Sequence, residues 1–240
     1  MNRTWAIAVL VVLVIAASAG SAYAALNFDG QTGVFLAPLA FTGPVSRVEV
    51  STHSVNMDNL GTIATYNVSY GLRKNIEIGF TKIANGVSGL SDQNNLLLKW
   101  QFADEKPTQP AAAAWIVQRH LVTGDQNATD LGLSLTKCFT VAKRALVLNV
   151  GARSTKAVGL GLFGISPDRE TKIEGAAAYF VTPKLAVATE FQQHIGIDTW
   201  TDLAVRYQAT DKLNLDFGVA NFNSALDNQV AFAGTYSVSF

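Results

Sequence analysis

Residues 229–240 read QVAFAGTYSVSF, and their alternation decides the fold. Val230, Phe232, Gly234, Tyr236, Val238 and Phe240 fall on one face; Gln229, Ala231, Ala233, Thr235, Ser237 and Ser239 fall on the other. Successive side chains of a β-strand point to opposite sides, so this segment has one apolar face and one small, polar face. The question for the rest of the chain is whether the apolar face meets a protein core or lipid.

The opposite end supplies context. Arg3, an apolar run over residues 6–17 and a small-residue stretch over 18–24 form a secretory signal, residues 1–24, with cleavage expected after Ala22-Tyr23-Ala24. The apolar run is shorter than the ~20 residues a spanning helix needs. No Cys stands directly behind it, so a lipoprotein anchor is not expected. Cleavage leaves about 216 of the 240 residues, enough for a single all-β domain. Cys138 is the only cysteine, so no intramolecular disulfide forms. The 18 basic and 18 acidic residues balance, and nothing in that balance recruits nucleic acid. Hydrophobic residues make up 49% and charged residues 15%, yet no run past residue 24 can span as a helix. Strands with an outward apolar band reconcile the two facts.

From residue 45 onward, alternating segments of about ten residues are separated by turn chemistry. Strands are predicted near 45–55, 62–72, 75–84, 94–102, 112–122, 129–138, 144–153, 172–181, 184–194, 200–209, 213–222 and 229–240. Short links, such as Thr182-Pro183, alternate with longer ones at 84–94, 123–128 and 154–171; the link at 103–110, with two prolines, is the exception. Residues 25–44 contain Gly30, Gly33, Pro38, Gly43 and Pro44, too broken for a spanning strand. They are read as a periplasmic lead-in, an extra edge strand or a small plug, ahead of a transmembrane barrel over residues 45–240.

An export signal, a strand rhythm of this spacing and a final strand ending in Phe240 together resemble bacterial outer-membrane β-barrel, porin-like proteins. The resemblance implies an all-β, antiparallel transmembrane barrel of about twelve strands in the outer membrane, surrounded by its lipid, with both termini periplasmic. It also implies that Tyr236, Val238 and Phe240 form the signal read by the barrel assembly machinery. The stretch Thr32-Gly33 followed by Pro38 and Ala40 resembles the start of some uncharacterised proteobacterial barrels.

Alternation then assigns faces. Tyr66, Val68, Phe80, Leu96, Leu98, Trp100, Leu131, Leu148, Leu203 and Phe217 are placed outward. Glu77, Lys99, Arg153, Glu174, Glu190, Asp202, Arg206 and Asp216 are placed inside as lumen-lining residues, because Arg or Lys facing mid-bilayer lipid costs about 2–4 kcal/mol. They serve either as a salt-bridged filling or as a selectivity lining. Twelve strands spaced ~4.8 Å and tilted ~40° enclose a diameter of roughly 24 Å, of which about 12 Å stays open between side chains.

The expected function is a channel for small solutes through a narrow mixed-charge lumen. Inward Leu97, Ile116, Phe180 and Phe222 suggest the alternative, a conduit or binding barrel for apolar molecules; a third reading is a non-conducting structural barrel. No cofactor is expected. His53, His120 and His194 fall near outer strand ends with inward parity but about four strands apart, too far to share a zinc ion at ~2.0–2.1 Å, so they are read as rim residues rather than metal ligands. Neighbouring His53 and Ser54 face opposite sides of a strand and cannot pair across that bond, and no other nucleophile with a base is legible, so the chain is not read as an enzyme. Gly159-x-Gly161-x-x-Gly164 lacks the flanking parallel strand and helix of a dinucleotide site, and residues 156–168 are read as the longest outer loop, mobile or folded inward as a partial lid. The sequons at Asn67 and Asn127 are read as coincidental in a bacterial-type exported chain.

Overall fold

A computed structural model describes residues 25–57, 61–196, 199–221 and 229–239. Twelve antiparallel strands close into one barrel. They are β1 (Arg47–Met57), β2 (Gly61–Arg73), β3 (Ile76–Asn85), β4 (Gln93–Ala103), β5 (Ala111–Leu121), β6 (Gln126–Val141), β7 (Arg144–Ala157), β8 (Ile165–Thr182), β9 (Leu185–Gln192), β10 (Trp200–Gln208), β11 (Leu213–Asn221) and β12 (Gln229–Ser239). Each pairs with its sequence neighbours, and β12 closes on β1 with Arg47 opposite Ser239 and Val55 opposite Ala231. Closure leaves no strand edge unpaired, which lipid contact demands of any sheet. The signal residues 1–24, Phe222 and Phe240 lie outside the described residues.

The short turns lie together at one end of the barrel. Ala142 and Lys143 link β6 to β7 with φ of 50° and 64°, the doubly left-handed two-residue turn whose twist matches its flanking strands. Outside, Tyr66, Phe80, Leu96, Trp100, Leu133, Leu203 and Phe217 are exposed in a continuous apolar belt. An exposed apolar surface of this extent suits lipid rather than water.

Two expectations are corrected. The predicted loop 154–171 is mostly strand: β7 runs to Ala157 and β8 begins at Ile165, with Ser154 opposite Thr171 and Thr155 opposite Glu170. Only residues 158–164 turn, and they fold inward, burying Leu160 and Leu162. Gly159 and Gly161 stand at φ of 53° and 85°, so the glycine spacing serves a left-handed turn. On β5 the assigned parity is off by one. Trp115, Val117 and Arg119 are buried inside, whereas Ile116 and His120 point outward beside Leu131 and Asn127. The run Ala111, Ala112, Ala113 and Ala114 carries no polarity contrast, so alternation there had nothing to set its phase.

Candidate functional site

The interior is occupied by residues 25–44. From the short-turn end, where Ser46 N donates to Gly71 O at 2.9 Å, the chain passes into the barrel and doubles back on itself. Bridges between Leu26 and Thr32 and between Gly33 and Pro38 make two tight turns. Asn27 holds both: its Oδ1 accepts from Asp29 N at 3.1 Å and Gln31 N at 3.0 Å, and its Nδ2 donates to Leu36 O at 2.8 Å. Asn, Asp and Gly in one short run favour this geometry because their side chains substitute for backbone partners or accept positive φ.

Wall residues meet the remaining backbone groups. Glu190 on β9 accepts from Phe35 N at 2.5 Å, Leu36 N at 3.0 Å and Ala37 N at 2.5 Å. Glu77 on β3 accepts from Thr32 N and Gly43 N at 2.8 and 2.7 Å and from Thr32 Oγ1. Its register partner on β4, Lys99, donates to Thr32 O at 2.8 Å. Arg206 on β10 donates to Gly33 O and Val34 O while forming two bonds of 2.8 Å to Asp216 on β11. Thr81 and Thr136 bind Asp29 O and Ala40 N. A buried carboxylate or ammonium is tolerable only when its lone pairs and protons are met, and here the segment's backbone meets several of them.

A residue pair that parity did not single out completes the set. Arg119 on β5 reaches Asp29 with both terminal nitrogens, at 2.9 and 2.7 Å, and Asp130 on β6 with Nε at 2.8 Å; Thr155 Oγ1 donates to Asp130. Burial pushes the Asp29 carboxyl up, but the Arg119 guanidinium outweighs it and holds Asp29 below the ordinary carboxylate value.

Apolar contacts fall on either side of this polar layer. Towards the long-loop end, Phe28, Phe35 and Leu36 pack with Val55, Ile63, Ile83, Leu160, Leu162 and Trp200. Towards the short turns, Val34 and Leu39 pack with Val147, Ala178, Phe180, Ala186 and Ala188. Leu97 packs against Trp115 and Val117.

All eight charges placed inside by sequence are buried, except that Arg206 is slightly more open. They do not form one cluster. Asp202 and Glu190 oppose each other across β9 and β10, Glu174 is bonded to Gln192 at 2.8 Å, and Arg153 makes no ion pair among the described residues. The histidines are also dispersed. His53 lies inside, edge-on to Phe28 and Phe35 with ring centroids 6.3 and 5.6 Å away, rather than on a rim. His120 is outward, and His194, just past β9, lies tilted against Trp200 with ring centroids 3.8 Å apart. Burial, and then the charges of Arg153, Arg119 and Lys172, hold the His194 imidazole well below its ordinary value. No group of three metal-ligating side chains occurs among the described residues.

Residues 111–232, from the start of β5 into β12, match the family described as "Protein of unknown function (DUF3034)". The chain belongs to this family. The DUF3034 match therefore takes in Arg119, Asp130, Arg153, Glu190 and Arg206. No curated protein matches the sequence. Among solved structures, this DUF3034 barrel is similar to the outer membrane protein Omp33 of Acinetobacter baumannii, with a TM-score of 0.56 and 13% identity over 80% of this chain and 98% of that one. It is also similar to the KdgM porin, at 0.56 and 10% over 80% and 99%. An outer membrane channel of Pseudomonas putida F1, COG4313, aligns at 0.52 and 12% over 83% and 98%. At these identities the likeness is one of fold.

Proposed function

We propose that this chain is an outer-membrane channel for small solutes whose mixed-charge interior is closed by residues 25–44 acting as a plug. The observation that carries the proposal is Glu190: one wall carboxylate accepts three consecutive backbone N–H groups of the inner segment, so the wall seats the segment by its backbone as well as by apolar packing. A plug held by side-chain contacts can leave without dismantling the barrel, since each barrel strand keeps its ladder with its neighbours. With the segment gone, about 12 Å would open between opposing walls. In the proposed orientation both termini are periplasmic, residues 1–24 are removed on export, and Tyr236, Val238 and Phe240 present the closing strand to the assembly machinery. No catalytic step is assigned to the chain.

A second reading, passage of apolar molecules, is favoured by the cluster of Phe28, Phe35, Leu160, Leu162 and Trp200 towards the long-loop end. Planar-bilayer recordings separate the readings. The parent should pass little current, and a variant lacking residues 25–41 should pass a steady, larger one. If that variant folds, as judged by the shifted migration of its unheated band, and still passes none, the channel is refuted. Uptake of an apolar dye by a current-free variant would favour the second reading.

A further inference from the structure

The interior cations are not equally served. Arg119, Arg206 and Lys99 each find carboxylate or carbonyl oxygens. Arg153, 2% exposed on β7, donates no hydrogen bond among the described residues, and its Nε is enclosed without an acceptor there. An enclosed guanidinium without an acceptor is costly, and a wall position that carried no ligand could hold an apolar residue instead.

Its surroundings are incomplete in a complementary way. On β8, Glu174 is paired with Gly151, two residues before Arg153 on β7, and Gln192 on β9 is opposite Glu174. Glu174 Oε2 accepts from Gln192 Nε2, which leaves Glu174 Oε1 and Gln192 Oε1 enclosed without donors. His194 Nε2 is likewise unpaired, and its imidazole lies within the field of Arg153. All four side chains are at least nine-tenths buried. Together they offer one cationic donor fork and two orphaned acceptors at the long-loop half of the barrel.

We propose that this cluster of Arg153, Glu174, Gln192 and His194 binds a small hydroxycarboxylate. The carboxylate accepts from the Arg153 fork, where planar two-pronged geometry is favourable, and the hydroxyl donates to Gln192 Oε1 or Glu174 Oε1. A plain anion would leave the acceptors unserved, and a cation would meet Arg153. The inference deepens the channel reading by naming a solute class, yet binding is measurable without conduction.

Saturation-transfer NMR on the full detergent-solubilised protein, with L-lactate and propionate at equal ionic strength, supplies the test. Lactate should bind more tightly than propionate, which has the same carboxylate and no hydroxyl. Arg153→Gln should weaken lactate about tenfold or more, the scale of one charged hydrogen bond. Gln192→Ala should narrow the gap between the two acids. Arg144→Gln, which removes an equal charge from the exposed first residue of β7, should change neither. Unheated band migration checks that each variant is folded. Equal lactate affinity in parent and Arg153→Gln, or no saturation transfer to lactate in the parent, would overturn the site. A protein that binds lactate and passes no current in any form would lose the channel and keep the site.

Discussion

Asp29 and Arg119, ninety positions apart, form a two-pronged ion pair of 2.9 and 2.7 Å inside the barrel. Arg119 continues to Asp130 on the neighbouring strand, so one guanidinium ties the inner segment to two wall strands. Removing it by Arg119→Ala strands two enclosed carboxylates, a change that typically costs about 3–5 kcal/mol. Asp29→Asn leaves Arg119 paired with Asp130 and should cost less. Denaturant unfolding of purified barrels gives the ranking, and equal losses would contradict it.

The same pair predicts a response to acid. The folded Asp29 carboxyl lies below its ordinary value, so its contribution is present above the ordinary carboxylate range and is lost as pH falls through the folded value. Docking of residues 25–44 should therefore weaken in acid and recover at neutral pH. Protection of the segment against an acid-active protease should fall as the pH drops, and Asp29→Asn should flatten the part of that fall due to Asp29. A parent segment cut at equal rates across the acidic range would refute the coupling.

Strand number and order were legible because lipid imposes one rule on every strand, apolar out and polar in, and because short and long links alternate. The inner segment was harder to read. Its glycines and prolines announced irregular backbone, but its partners Glu77, Glu190 and Arg206 lie far along the chain, and no local period reports such contacts. Arg119 could have been found. A lipid-facing Arg near mid-membrane costs about 2–4 kcal/mol, which should have fixed the phase of β5 where Ala111, Ala112 and Ala113 could not. Parity placed Arg153 among the interior charges, but its lack of a hydrogen-bond partner among the described residues is a property of geometry alone.

Gly30 tests how closely the segment is seated. It stands at φ of 81°, and a Cβ there would meet Thr81 Oγ1 and come within 3.0 Å of Asn67 Oδ1. Gly30→Val adds backbone strain to overlap, so the segment should undock while the barrel strands keep their pairing. The variant should show faster proteolysis within residues 25–44 and unchanged β-sheet circular dichroism. Loss of both signals together would mean that the barrel cannot stand without the segment.

Arg153 and Arg206, the interior arginines that make no hydrogen bond to Asp29, should separate selectivity from gating. Arg206 donates to the carbonyls of Gly33 and Val34 as well as to Asp216, so Arg206→Ala both frees Asp216 and loosens the segment. Arg153 contacts no group of the segment through a hydrogen bond, so Arg153→Ala removes positive charge without loosening it. Both should raise cation preference, because deleting a fixed positive charge from a confined pore shifts the potential that permeant ions meet. Only Arg206→Ala should also raise conductance. Leu148→Thr, outward on the same strand as Arg153 and 40% exposed, should affect stability and leave ion preference unchanged. Reversal potentials in a salt gradient, recorded in parallel with conductance, decide between the outcomes. A conductance rise in Arg153→Ala equal to that in Arg206→Ala would show that the Gly33 and Val34 contacts do not hold the plug, and unchanged selectivity in both would place the ion path away from these residues.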